Sequence, residues 1–527
     1  MNIKATAFLV GFIFSITAHP QHDPGRNAVR LLAKGNTEEA IQLASIPPKK
    51  NNSPISEDEH YFVLAMAACQ ENDGSSAFKY ARQAIEKGLP IERLLSGPRE
   101  ILKPLYRHPE FQEWIQARKK KLLHGPMLGS VSDSSASFWV RTADESNVTV
   151  SLQAADNPAA KPLIGKSSTS ESSDYTTAIE ITKLRPNTEY TYTVHIDEER
   201  TDLQHAFSTL PLAGLSTQFK IAFGGCAGFT PQHERIWTTI QKQNAEALFL
   251  LGDNVYIDDP AHTLTQQYCY YRRHSQPEWK QLIAQTSIYT IYDDHDFGWN
   301  DCIPGPDIEA PAWKRRVWEV FTENWNNPSY GGGPEQPGCW YDFYIADVHF
   351  IFLDCRYYRD LEGASMLGAV QKAWFLEQLA SSKGTFKIIA SSVPWSPGVK
   401  PGSTDTWDGY ADEREEIFSF IEENNISGVV LMAADRHRSD FRKIPRPEGY
   451  DLFELLSARL TNVHTHDLIK EAKGSEFIMG YNETCSFGLV EFDTTKDDPW
   501  LKYSILNIDN EVVDSRKLHL SQLQKNR

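Results

Sequence analysis

The feature that most narrows the fold is a set of short apolar runs, each stopping abruptly on chemically loaded residues. They are FKIAFGGC (219–226), AEALFLLGDNVY (245–256), QTSIYTIYDDHD (285–296), FKIIASSVPW (386–395) and SGVVLMAADRH (427–437). Runs of this length bounded by turn residues read as strands buried on both faces. Between them PQHERIWTTIQKQN, AVQKAWFLEQLASS and EREEIFSFIEENN read as helices, and YDFYIADVHFIFLDCR reads as a hairpin. Strands alternating with helices predict an α/β layer architecture, in which ligands gather at the carboxyl ends of the strands. Those ends supply Cys226, Asp253, Tyr256, Asp294, His295, Asp435 and His437. Thiolate, carboxylate, phenolate and imidazole are groups that bind metal. The stretch YTIYDDHDFGWND (289–301) sharpens the point. Neighbouring carboxylates repel, and out of water they are costly unless a cation or several donors meet them. A positive partner is expected there.

The rest of the composition is ordinary. With 527 residues, 40% hydrophobic and 23% charged, the chain has enough material for roughly two to four domains. A formal net charge of −17 argues against a general affinity for nucleic acid or anionic membrane, whose phosphates it repels. The opening MNIKATAFLVGFIFSITAHPQ has a cationic start, a short apolar run and small residues near Ala18. That order predicts a secretory signal peptide over residues 1–19; a retained membrane anchor is the other reading. No other segment is apolar enough to span a bilayer, so the expected location is secreted, periplasmic or extracellular. Seven cysteines, an odd number, leave at least one for a role other than a disulfide and leave any pairing open.

Residues 24–121 carry helical patterning in two similar pieces, NAVRLLAKGNTEEAIQLA and HYFVLAMAACQENDGSSAFKYARQAIEKGL. Each reads as a helix, a Gly-containing break and a second helix, with Ala67, Ala77, Ala81 and Ala84 where paired helices approach closely. This resembles tetratricopeptide repeats, with LYRHPEFQEWI similar to the helix that closes them. A plain packing domain and a groove for a protein partner are both open readings. Over residues 124–212 the period becomes two, in GPMLGSVSDSSASFWVRT, SNVTVSLQAA, YTTAIEITKL and NTEYTYTVHID. Short alternating strands of this kind predict a β-sandwich, and LRPNTEYTYTVHI resembles the turn and strand of fibronectin type III-like domains.

LLGDNVYID, YDDHDFGWND, FLDCRYYR, SSVPWSP, DTWDGYADEREEI and ADRH follow one another in that order. Together with HGPMLGSVSDSSASFWVR they resemble the PhoD-like (alkaline phosphatase D) branch of the calcineurin-like metallophosphoesterases, over roughly residues 124–515. The resemblance implies a multidomain chain with a catalytic domain over 217–520, of four-layer αββα build, behind the sandwich and an added helical segment. It carries Cys226, Asp253, Tyr256, Asp294, Asp435 and His437 over as metal ligands, Asp253 as the bridge, and puts His295 and Asp294 at the reacting phosphate. Ala434 departs from the family's glycine, and Ser392 stands where the wider superfamily often has a metal-binding histidine.

A phenolate ligand at neutral pH, from a group with a pKa of about 10, calls for a strong Lewis acid. Fe3+ suits that position, while hard oxygen donors suit Ca2+ in the second, which the resemblance favours; Zn2+, Mn2+ and Mg2+ are the alternatives. The expected chemistry is hydrolysis of a phosphate ester by a metal-held hydroxide, with His295 stabilising charge or protonating the leaving oxygen. Asn300, Arg356, Arg359 and Arg436 are candidate phosphate or supporting contacts, and Asp293 and Asp296 are expected to brace His295 or the loop. Tyr268, Tyr270, Tyr271, Trp299, Trp395, Trp407 and Tyr410 suit either a pocket wall or core packing. Two further functions compete: a phosphodiesterase of phospholipase type acting on lipid head groups, and a non-catalytic binding protein that recruits partners through its helices.

Overall fold

The computed structural model describes residues 23–45 and 55–525. The expected signal peptide lies outside them. Among the described residues no helix is long and apolar enough to cross a membrane.

The helical segment forms as paired helices, Pro24–Ala33 with Thr37–Ala44 and Glu57–Gln70 with Gly74–Glu86. Asp23 caps the first helix by accepting the Arg26 N–H at 3.0 Å, with Pro24 at the first position, where its missing N–H costs nothing. Ala67, Ala77, Ala81 and Ala84 are all buried at helix contacts. LYRHPEFQEWI differs from expectation. It is divided between Arg99–Tyr106 and Pro109–Gln116, because His108, ahead of Pro109, is extended at φ −73° and ψ 122°.

Two large sheets follow. The eight-stranded one runs Tyr341–Ile345, Val348–Phe352, Phe386–Ala390, Val429–Ala433, Leu452–Ser457, Ser439–Ile444, Ser475–Tyr481 and Glu471–Ala472. The first two strands form the expected antiparallel hairpin, and the next pairings are parallel. Both faces are covered: Ile389 and Leu431 pack under the helices Gly368–Ser381 and Ala411–Glu423, while Phe350 and Phe352 meet Phe249 of the other sheet at ring distances of 5.1 Å. That double burial accounts for apolar runs without alternation.

The nine-stranded sheet runs Val512–His519, Trp500–Asn507, Ser486–Asp493, Gln218–Gly224, Ala247–Leu251, Ser287–Ile291, Leu122–Gly129, Ser135–Thr142 and Thr176–Thr182. Its last three strands come from the segment expected to be a separate sandwich. They join the catalytic strands where Gly129 pairs in parallel with Ile288. The remaining strands of that segment, Asn147–Ala154, Leu163–Ser168, Glu189–Ile196 and Glu199–Ser208, form a four-stranded sheet of their own. Phe138 touches Tyr192 across the two layers at 4.7 Å between rings. All seven cysteines are buried and free, so none is paired.

Candidate metal centre

Gln218–Gly224, Ala247–Leu251, Ser287–Ile291 and Val429–Ala433 all end at one seam between the two large sheets, and the loaded residues come immediately after them. The chain turns there through left-handed backbone at Cys226 (φ 59°), Asp253 (φ 53°), Asp435 (φ 65°) and His437 (φ 46°). Non-glycine residues adopt this conformation at a cost of about 1–3 kcal/mol each, and such strain concentrates at functional sites. Gly252, at φ 98°, lets Asp253 approach the facing strand end, since a Cβ there would lie 2.5 Å from the Asp293 Cβ.

Asp253 is the hub. Its Oδ2 accepts the Tyr256 hydroxyl at 3.0 Å and the Cys226 thiol at 3.6 Å, and its Oδ1 accepts the His295 backbone N–H at 3.3 Å. The Tyr256 hydroxyl also lies 3.1 Å from His437 Nε2. Donor atoms of Cys226, Asp253 and His437 fall within 4.8 Å of one another, and so do those of Asp253, Asp294 and His295. Burial raises the pKa values of Cys226, Tyr256 and Asp253 well above normal, and the neighbouring carboxylates push in the same direction. Burial, then His464 and His466, holds the His437 ring neutral with its pKa well below normal. Asp435 Oδ2 is buried without a hydrogen-bond partner. Buried acidic donors, a neutral imidazole and a carboxylate oxygen that meets Arg436 only at 3.6 Å, beyond hydrogen-bond reach, share one deficiency, positive charge. The donor set therefore fits metal cations.

A cavity of about 570 Å³ opens over these residues, lined by Asp294, His295, Asp435 and His437 together with Asn300 and Arg436. Cys226, Asp253 and Tyr256 form the buried floor, at most 6% exposed. Two candidates lie away from the cavity wall. Arg359 donates to Asp405 at 2.6 Å and to the Cys355 carbonyl at 2.8 Å. Arg356 joins Asp293 to Asp405 and approaches Asp294 only at 3.9 Å. Both guanidiniums hold the carboxylate layer beneath the site. Asp293 also accepts from Ser392 at 2.7 Å, so the serine in the superfamily's histidine position supports the loop. Asp296 accepts the backbone N–H groups of Val255 at 2.8 Å, Asn254 at 3.2 Å and Asp293 at 3.1 Å, clamping two strand ends together. Ala434 is accommodated because Gly225 faces it, where a Cβ would come within 2.7 Å of the alanine methyl.

Of the aromatics, Trp299 lines the cavity and is 49% exposed. Tyr268, Tyr270, Tyr271, Trp395, Trp407 and Tyr410 are buried in the core, Trp395 stacked on Trp407 at 4.1 Å.

Sequence reasoning missed several residues. Asp258 accepts from His295 Nδ1 at 2.5 Å and from Arg26 of the first helix at 2.6 Å. Burial works to raise its pKa, but His295, then Arg26 and Arg30, outweigh it and hold the value at about 2. Lys400 bridges Asp301 at 2.9 Å and Asp405 at 2.8 Å. His464 and His466 flank His437 at ring distances of 5.2 and 5.5 Å. The HTH spacing at 464–466 and the carboxylate directly after GDNVYI were signals within reach. Arg26 and Arg30 sit too far away in sequence to give one.

A family model described as PhoD-like phosphatase matches residues 221–496, and one described as a domain of unknown function (DUF7800) matches residues 119–212. Alkaline phosphatase D of Bacillus subtilis (strain 168) is 26% identical over 310 residues, 50% of this chain and 53% of the relative. The match thus spans about half the length of that curated relative. Among solved structures, one titled "Structure of PhoD" aligns with a TM-score of 0.63 at 17% identity, covering 76% of this chain and 91% of that one. The purple acid phosphatase PPD1 from yellow lupin aligns with a TM-score of 0.57 at 12% identity, covering 75% and 74%. These two structures share the fold of this chain.

Proposed function

This chain belongs to the PhoD-like phosphatase family, and on that premise we propose that it is a metal-dependent phosphoric ester hydrolase. The observation that carries the proposal is the position of Asp253, whose carboxylate lies within 4.8 Å of the donor atoms of Cys226 and His437 and also of Asp294. Cations bound there supply charge neutralisation and Lewis-acid activation of a water. Tyr256 and Cys226 suit Fe3+, and the carboxylates of Asp294 and Asp435 suit Ca2+.

The chain's own groups perform the remaining work. Asp258 occupies His295 Nδ1, which leaves Nε2 as the nitrogen that delivers a proton to the departing oxygen. Burial opposes charge on this ring, but Asp258, then Asp294 and Asp253, more than offset it and raise its pKa well above normal. Arg436 and Asn300 line the wall on which a phosphate rests. Export by the leader-like first residues, a fibronectin type III-like sandwich and tetratricopeptide-like helices complete the reading.

The test is metal analysis of the purified protein, then hydrolysis of an aryl phosphate and an aryl phosphodiester with and without chelator. Chelation and Asp253→Ala should each abolish turnover. Undiminished hydrolysis by Asp253→Ala would end the assignment.

A further inference from the structure

The helical segment is built into the site. Arg26 and Arg30 lie four residues apart on Pro24–Ala33 and so share one helix face. Arg26 is buried and fixed, donating to Asp258 at 2.6 Å and to the Tyr256 carbonyl at 3.1 Å. One turn on, the half-buried Arg30 lines the same cavity as His295 and Asp258. It makes no hydrogen bond or ion pair with any described residue. The cavity's other cations are engaged differently. Lys400 is held by Asp301 and Asp405, and Arg436 stands beside Asp435 at 3.6 Å.

We propose that Arg30 is a specificity-determining residue that selects phosphate esters whose leaving group carries a second anionic group. The proposal rests on the phosphoesterase reading above. His295 addresses the departing oxygen, and Arg30 follows by one helical turn the Arg26 that holds Asp258, itself bonded to His295, which assigns it to the part of the substrate that leaves. A cavity of about 570 Å³ is in the range that holds a whole small ligand. A planar guanidinium presents paired donors that match a carboxylate or phosphate. Arg26, by tying the helix to Asp258, sets the distance between that anchor and the reacting phosphate.

The experiment compares two substrates in the metal-loaded full chain: an aryl phosphate with a ring carboxylate and the same ester with that carboxylate as its amide. In the unmodified protein kcat/KM should favour the carboxylate about tenfold. Arg30→Ala should reduce that ratio to near one, Arg30→Glu should invert it, and Arg30→Lys should keep part of it. Because the readout is a ratio within each protein, altered folding or metal content cancels. Calorimetry supplies a second readout, with methylenediphosphonate bound more tightly than methylphosphonate and Arg30→Ala removing the difference. Ratios that stay the same in Arg30→Ala overturn the proposal. A calorimetric preference that depends on Arg30, in a metal-loaded chain that hydrolyses no ester, would support the anion site and sink the phosphoesterase reading instead.

Discussion

Asp258 shows how a residue outside the donor sets governs one inside them. Its carboxylate fixes the direction of His295, so its removal should act on proton delivery, beyond the stability lost with the Arg26 pair. Asp258→Asn should lower kcat about 10²-fold on an alkyl phosphate, whose leaving oxygen needs a proton, in line with the usual yield of general acid catalysis. On 4-nitrophenyl phosphate, whose anion leaves unaided, the loss should be several-fold smaller. Equal losses on both esters would remove His295 from the acid role. A second residue-scale prediction concerns Gly225 and Ala434. Gly225→Ala sets two methyl carbons 2.7 Å apart and a Cβ 2.9 Å from the Gly252 carbonyl, which should displace the loops that carry Cys226 and Asp435 and cost about 1–3 kcal/mol. Adding Ala434→Gly relieves the first clash and should restore part of the metal content and stability, a coupling that a double-mutant cycle measures. At this scale the donors were legible because each follows an apolar run directly. Asp405 and Lys400 were not, because what makes them matter is a buried charge network assembled from separate loops.

At the scale of elements, the first helix and the helix Glu57–Gln70 meet Thr263–His274 through buried charged and aromatic groups, with Phe62 stacked on Tyr268. Glu59 pairs with Arg93 and accepts the Tyr268 hydroxyl at 2.6 Å; Asp23 pairs with Arg272, and Gly25 leaves room for the Tyr268 hydroxyl. Breaking one member of a buried pair leaves the other charge uncompensated, so Glu59→Ala should lose about 3–5 kcal/mol in chemical denaturation. Acid should act on the same joint. Burial raises the pKa of Asp23, yet Arg272 and then Arg26 outweigh it and the net value is lowered; Asp258 is held at about 2. A carboxylate depressed in the folded state contributes stability above its unfolded pKa of about 3.9 and loses it as pH falls toward the folded value. Stability should therefore drop between about pH 4 and pH 2, and less steeply in Asp23→Asn, as thermal melts across that range would register. The paired helices were legible from their 3.6-residue period. Their docking face was not, because single charged residues in a helix look like solvated surface until a partner far along the chain meets them.

At the scale of the molecule, the change from alternating strands to strand-helix alternation near residue 217 suggested two units, whereas backbone pairing crosses between them. Local periodicity reports which face of a strand is buried, not which sheet the strand enters. The joint is well made. Asn326 donates to the carbonyls of Met127 at 3.1 Å and Ser137 at 3.0 Å, the Trp139 indole donates to the Glu323 carbonyl at 3.0 Å, and Tyr289 donates to the Val131 carbonyl at 2.8 Å. Arg141, fully buried, pairs with Asp174 at 2.8 Å, and Tyr271 from the catalytic side donates to that carboxylate at 2.6 Å. Segments sharing one sheet and one set of buried polar partners cannot lose either alone without orphaning the other's groups. Calorimetry should therefore show strands 122–182 and the catalytic strands unfolding in a single transition, with fluorescence and far-UV signals coincident. Gly129 is the place to break that unity. A Cβ there would lie 2.1 Å from the Asn326 carbonyl oxygen, so Gly129→Val must push the loop at 326 off the strand it satisfies. The variant should split the transition, the sandwich strands melting first, and should also lose metal, because Ile288, the partner of Gly129, lies on the strand that delivers Asp294 and His295. Two transitions already present in the unmodified chain, or a Gly129→Val variant that keeps its metal and its single melt, would mean that the shared sheet does not couple the two parts.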